Sequence, residues 1–146
     1  MKMDSDQKLR TVQMAYAGAL ADSVLRLGRE GVLAKVTEEK RNEQMQSGKA
    51  KAQQFGITTP AEVFRTISDL FDCAQWQLTK GANGFSAVAA NCKLCGLARR
   101  LGAESPCHIY CLDPMEGMVK GINPDASFTV IETLWEGRKC QVEITS

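Results

Sequence analysis

Four of the six cysteines, Cys92, Cys95, Cys107 and Cys111, are spaced C-x2-C-x11-C-x3-C. On helices, Cys92 and Cys95 share one face, and so do Cys107 and Cys111. Two such faces brought together offer up to four sulfur ligands, a shell suited to a structural zinc or a soft-metal cluster. The single histidine, His108, falls inside the same window, where it is placed to ligate a metal, shuttle a proton or simply pack.

The window admits three chemical readings. In one, all four sulfurs close around a zinc and the site is structural. In another, three protein groups hold the metal and a water fills the fourth position as an activated nucleophile. The donors then extend to Cys140 from the last strand. In the third there is no metal and a cysteine is itself the nucleophile. Cys92 is the candidate, because it follows Asn91 at the start of a helix whose dipole lowers a thiol pKa. An iron–sulfur cluster fits less well, since the spacing departs from the common ferredoxin runs. Disulfides and inert core packing are the structural alternatives.

Two carboxylates join the candidates. Cys140, Val142 and Ile144 share one strand face, and in the partner strand Glu132 falls in phase with Phe128, Val130 and Leu134. Buried there, Glu132 has a raised pKa and serves as a general base. In the opposite register Ile131 and Trp135 are inside and Glu132 is solvated. Asp113 is either a helix cap or a catalytic acid. Trp76 and Trp135 either line a ligand pocket or pack in the core. No Ser-His-Asp arrangement, phosphate-binding glycine loop or HExxH motif is present.

These residues need elements to position them. Leu9, Val12, Tyr16, Leu20, Val24 and Leu27 recur at helical spacing up to Gly28 and Gly31. Val32 to Gln54 is largely charged and polar, and reads as a solvent-facing helix or a lid. Thr59-Pro60-Ala61-Glu62 starts a helix with the stripe Val63, Phe64, Ile67, Leu70 and Phe71. Alternation around Trp76, Leu78, Phe85, Ala87 and Ala89, broken by Asn83-Gly84, predicts a hairpin. Helical pieces follow, one capped by Asn91 and stopped at Gly102, one over Pro106 to Leu112, and a restart at Asp113-Pro114. A second hairpin runs from Ser127 to Trp135 and from Lys139 to Thr145. The expectation is one α+β domain, with a helical N-terminal extension over 1–56 and a cysteine-rich core over 57–146 that holds a small antiparallel sheet of two hairpins backed by helices.

Bulk properties narrow the function classes. The 146 residues are 44% hydrophobic and 24% charged, with a formal net charge of +1. That balance gives no support for nucleic-acid binding. No apolar run approaches the ~18 residues of a membrane span, and the polar N-terminus lacks the apolar core of a signal peptide. The expected compartment is a reducing cytoplasm, where clustered cysteines signal metal or thiol chemistry. The charged helices permit a homodimer without requiring one.

From Trp76 to Ile144 the chain follows a known order. A helix is opened by Cys92, and a second cysteine-bearing helix carries Cys111-Leu112-Asp113. Next come Gly121-Ile122-Asn123-Pro124, and strands closing on Thr133-Leu134-Trp135-Glu136-Gly137 and Cys140-Gln141-Val142-Glu143-Ile144. This resembles the L-2-amino-thiazoline-4-carboxylic acid hydrolase-like family. It is similar, more loosely, to vinyl-4-reductase-type domains, whose last strands close on a pattern like Glu132, Gly137 and Cys140. The resemblance implies an α+β fold and hydrolytic opening of a thiazoline ring to an N-carbamoyl amino acid. Water attacks the carbon between nitrogen and sulfur, through a metal hydroxide or a cysteine thiolate, while a carboxylate moves protons. It carries over Cys92, Cys111, Asp113 and Cys140. Cys95 and Cys107 exceed the usual pattern and favour a metal site.

Two functions follow as expectations. The first is a small-molecule hydrolase acting on a carbon–nitrogen bond, using Cys92 or a thiol-bound zinc with Glu132, Asp113 or His108 moving protons. The second is a non-catalytic module, a sensor or assembly subunit, that binds a metal or small ligand through Cys92, Cys95, Cys107, Cys111 and Cys140.

Overall fold

The computed structural model describes residues 2–146. The chain runs α1 (Ser5–Arg29), α2 (Leu33–Gln54), α3 (Pro60–Phe71), β1 (Gln77–Lys80), β2 (Gly84–Ala89) and α4 (Lys93–Leu101). A π-helical turn, His108–Leu112, then leads into α5 (Asp113–Ile122), followed by β3 (Ser127–Glu132) and β4 (Cys140–Thr145). The four strands form one antiparallel sheet in the order β1-β2-β4-β3. The α+β class and both hairpins agree with the sequence, and the two hairpins join through β2 and β4.

Strand phase places the core. Ala87 and Ala89 of β2 and Cys140, Val142 and Ile144 of β4 are buried on one face. Helices α3 and α5 cover that face with Phe64, Met115, Met118 and Val119. Phe64 is fully buried, edge-on to Trp76 and Phe85 and stacked on Phe128. As expected, α3 starts at Thr59, whose side chain accepts the N–H of Glu62, with Pro60 in the first turn. The Glu62 carboxylate reaches back one residue further than a capping box requires, to the N–H of Thr58.

The helical extension differs from its sequence reading in two ways. The apolar stripe of α1 does not all point inward. Leu9, Val12 and Tyr16 are exposed, and the helix packs through Ala17, Ala21 and Val24. Helix α2 is more than a solvated helix. Gln44, Gly48 and Ala52, at i, i+4 spacing, are buried and let it lie directly along α5. A Cβ on Gly48 would collide with the Gly117 carbonyl, and one on Gly117 with the Gln44 carbonyl. The two helices meet backbone to backbone.

Close packing of this kind has a measurable consequence. Gly48→Ala or Gly117→Ala forces α2 off α5 and should cost about 1–3 kcal/mol, the usual penalty of overpacking. Gly18→Ala, in mid-α1 with open space around it, should instead stabilise by up to about 1 kcal/mol through helix propensity. Urea unfolding of the three variants checks both signs.

Candidate functional site

Cys92 is the N-cap of α4. Its backbone is extended (φ −144°, ψ 116°), and its Sγ accepts the Cys95 N–H at 3.4 Å. The sequence expected Asn91 to cap and Cys92 to sit one position inside. The thiol instead does the capping, which brings it closer to the unpaired N–H groups of the first turn. Hydrogen bonding from the Cys95 thiol, with the backbone N–H groups of Cys95 and Leu94, lowers the Cys92 pKa from 9.0 to about 7 against the opposing effect of burial.

The other thiols divide sharply. Cys95 Sγ lies 3.6 Å from Cys107 Sγ. In that pair Cys95 is the donor and is held protonated. Cys107 is lowered to about 6 by the Cys95 hydrogen bond, with help from Ser105 and His108. Burial pushes Cys140 up to about 12 and Cys73 to about 11, and raises Cys111 as well. The fold thus lowers two thiols, Cys92 and Cys107, which share the single Cys95 proton as donor, and leaves four that resist ionisation.

Two cavities meet at Cys92. A small apolar one of about 20 Å³ is lined by Cys92, Cys95, Cys107, Cys111 and Cys140, with Trp76 and Leu134. The five cysteines expected as ligands do converge. Yet among the described residues no three His, Cys, Asp or Glu side chains are grouped to hold a metal ion. Cys95 and Cys107 are in sulfur–sulfur contact, and apolar Trp76, Leu112 and Leu134 line the same small cavity.

The second cavity, about 330 Å³, lies between α1, α2, α3 and the π-helical turn. Cys92, Cys111, Trp76 and Leu94 line it as well as the small one, so Cys92 stands on the shared wall. Tyr16 of α1, Lys40, Gln44 and Lys51 of α2 and Tyr110 of the π turn add polar groups to the lining. Among the described residues, the buried side-chain polar atoms without a partner are Gln44 Oε1 and Trp76 Nε1, and both residues line this cavity. A buried acceptor and a buried donor without a protein partner on two residues of one cavity wall set Gln44 and Trp76 apart from the rest of its lining. Sequence reasoning missed Gln44, Lys40 and Lys51. Their signal was the i, i+4 run from Gln44 through Gly48 to Ala52, which shows that this polar helix has a buried side.

The remaining expected site residues go elsewhere. Asp113 is no cap: Leu112 before it is already helical, and the buried Asp113 carboxylate accepts from Arg41 Nη1 at 2.9 Å. His108 Nδ1 lies 3.3 Å from the same Asp113 oxygen. Arg41 also forks onto Glu116 at 3.0 and 3.1 Å, and Lys120 reaches Glu116 at 2.9 Å. This cluster lines an open groove of about 840 Å³ beside α2, and neither His108 nor Asp113 lines the cavity of Cys92. Glu132 is not a buried base. A β-bulge after Val130 shifts the register, and the carboxylate turns out to accept the N–H groups of Arg138 and Lys139. Those bonds lower its pKa rather than raise it. Trp135 lies in the following turn under the Arg99 guanidinium, 4.4 Å away, and Arg99 also bonds the Trp135 carbonyl. Ile131, offered as an inward residue, is exposed.

The charged cluster makes its own prediction. Burial raises the Glu116 pKa, but hydrogen bonds from Arg41 and Lys120 more than offset that, and the net shift is below 4.5. Its stabilisation is present above pH 4.5 and lost as the pH falls through the folded value. His108 is raised above 6.5 by Asp113, so its contribution is complete below pH 6.5 and lost as the pH rises through the folded value. Arg41→Met strands two buried carboxylates and should cost about 3 kcal/mol, with the acid limb of stability moving to higher pH. His108→Asn should flatten only the slope above pH 6.5. Denaturant melts across pH separate the two.

The chain has no match among curated proteins or solved structures. A family model described as L-2-amino-thiazoline-4-carboxylic acid hydrolase matches residues 8–143. That span takes in the charged α2 and its cavity-lining face as well as the cysteine-bearing half that carried the sequence resemblance. A match over nearly the whole length, together with the α+β architecture, makes this chain a member of the L-2-amino-thiazoline-4-carboxylic acid hydrolase family.

Proposed function

We propose that the protein is a small-molecule hydrolase that opens the ring of a 2-aminothiazoline carboxylate, with Cys92 as nucleophile. The observation that carries this is the cavity. Cys92, the one thiol lowered among the three that line it, shares those walls with Gln44 and Trp76, each of which keeps a buried polar atom without a protein partner. A 2-aminothiazoline offers amino N–H groups to Gln44 and an acceptor atom to the Trp76 N–H. Lys40 and Lys51 on the same walls suit its carboxylate. The volume of about 330 Å³ is in the range of small-ligand sites.

The chemistry balances without a further reagent. Cys92 Sγ adds to the ring carbon between nitrogen and sulfur, and the bond from that carbon to the ring sulfur breaks. The ring sulfur leaves as a thiolate and takes a proton. Water then adds to the same carbon and Cys92 Sγ departs. The net reaction consumes one water and yields an N-carbamoyl group and a free thiol. The Cys92 cap geometry supports the first step because backbone N–H groups hold the attacking thiolate without a separate base. Among the described residues lining the cavity there is no carboxylate and no histidine, so nucleophile activation falls to the Cys95 thiol and the helix start.

The competing reading is a ligand-binding module that uses the same cavity without turnover. Incubating reduced protein with 2-amino-thiazoline-4-carboxylate and quantifying the N-carbamoyl product separates them. The hydrolase reading expects turnover that falls roughly 10³-fold or more in Cys92→Ala, with Lys40→Met and Lys51→Met raising KM more than they lower kcat. The acid limb of kcat/KM should lie near the Cys92 value of about 7 and survive His108→Asn. Saturable binding by calorimetry with no product favours the module.

A further inference from the structure

We propose that Cys92, Cys95 and Cys107 form a dithiol–disulfide exchange centre whose substrates are small carboxylate-bearing disulfides. The proposal rests on Cys92 as the nucleophile of the cavity and adds a second reaction to it. Three observations carry it. Cys92 and Cys95 are the two ends of a C-x-x-C at the start of α4, with the Cys92 sulfur already bonded to the Cys95 N–H at 3.4 Å. Cys95 Sγ touches Cys107 Sγ at 3.6 Å. Of the three, only Cys92 lines the 330 Å³ cavity, whereas all three line the small cavity behind it. An incoming disulfide therefore meets Cys92 first, and the other two thiols wait on its far side.

Each thiol then has one part. The Cys92 thiolate attacks one sulfur of the substrate disulfide, giving a mixed disulfide on Cys92 and releasing the first substrate half as a thiolate. Cys95 passes its proton to the Cys107 thiolate across the 3.6 Å contact. The Cys95 thiolate so formed attacks Cys92 Sγ, closing a Cys92–Cys95 disulfide and releasing the second half as a thiolate. Two protein thiols are oxidised and one disulfide is reduced to two thiols: one released half takes up the proton that Cys92 gave to solvent on ionising, and the other takes from Cys107 the proton it received from Cys95, which returns Cys107 to the thiolate. Side chains three apart on a helix stand about 5–6 Å apart at Cβ, and a disulfide needs about 3.5–4.5 Å. Cys92 lies at the cap, outside the helical ladder, so rotation of its extended backbone closes that gap while α4 stays wound. Lys40 and Lys51 on the cavity wall select disulfides that carry carboxylates. The thiol released by the proposed ring opening is of that chemical class, so its oxidised dimer would feed back on Cys92. Oxidation to Cys92–Cys95 removes the nucleophile, and excess small thiol restores it.

The test uses full-length reduced protein and the disulfide of N-acetylcysteine, quenched with an alkylating agent and mapped by mass spectrometry. The expected product is an internal Cys92–Cys95 disulfide, formed through a transient adduct on Cys92. Cys95→Ser should accumulate that adduct, and Cys107→Ser should form it at the wild-type rate but close it roughly tenfold or more slowly. A wild-type protein that stops at the adduct, or whose first internal disulfide joins Cys95 to Cys107, overturns the proposal. So does exchange at the wild-type rate in Cys92→Ala. The map reads sulfur chemistry alone, so absence of ring-opening activity leaves it valid. Conversely, a failed map leaves the hydrolase reading to its own assay.

Discussion

The backbone contact between α2 and α5 is the constraint on which the rest of the molecule depends. Gly48 and Gly117 remove the side chains that would hold the helices apart, and Arg41 then bridges them by its two bonds to Glu116 and one to Asp113. Neither feature suffices alone. Without the glycines the guanidinium cannot reach both buried carboxylates, and without Arg41 those carboxylates would oppose burial of α5. The contact fixes one wall of the 330 Å³ cavity, because Gln44 and Lys51 lie on the α2 side while Met115 and Met118 lie on the α5 side. A shift along this seam would change the site without touching a cysteine.

The second organising feature is smaller in scale. A cysteine has taken the place usually held by serine, threonine or aspartate at a helix start. The substitution gives a weaker cap but a stronger nucleophile, since the N–H groups that would satisfy an oxygen now hold a sulfur anion. The effect is local. It separates Cys92 from Cys111 and Cys140, which share the small cavity but gain nothing from the α4 terminus and are pushed up by burial. Cys107 is lowered chiefly by the Cys95 thiol hydrogen bond, which acts on Cys92 as well, and gains from Ser105 and His108 where Cys92 gains from the α4 backbone. Two mechanisms acting on neighbouring sulfurs produce an ordered series from six residues of one type.

Much of this was legible in the sequence, for reasons that also explain what was not. Strand phase placed Cys140, Val142 and Ile144 on the inner face because a period of two leaves little freedom once one residue is buried. The Thr59-Pro60 start and both hairpins followed from local chemistry in the same way. Glu132 misled because the bulge after Val130 breaks that period, and a bulge leaves no mark in an alternation count. Asp113 before Pro114 looks like a cap because helices usually start that way. Here the π-helical turn carries the chain into α5 without interruption, which frees the carboxylate for Arg41 across 72 positions of sequence. Distant partners of that kind, like the Gln44 bond to the Ile109 carbonyl, are set by which helices touch. The cysteine spacing pointed to sulfurs that the fold does bring to one small cavity with Cys140, but it could not show that apolar Trp76, Leu112 and Leu134 line that cavity too.

The separation of charge from sulfur is what gives the arrangement its functional sense. Had His108 and Asp113 reached Cys92, an imidazole relay would be the natural source of the thiolate. They are held instead in the groove beside α2 by Arg41, where their pairing contributes to docking of α5. Carboxylates beside Cys92 would raise its pKa by like-charge repulsion and would repel an anionic ligand. Keeping them on the outer side of α5 leaves the inner cavity with Lys40, Lys51 and the helix start as its charged or polarised groups. All three favour an anion and a thiolate together. The cluster that the sequence offered as acid and base thus stays out of the thiol cavity. The same packing that stabilises the helix pair keeps the electrostatics of the thiol cavity positive.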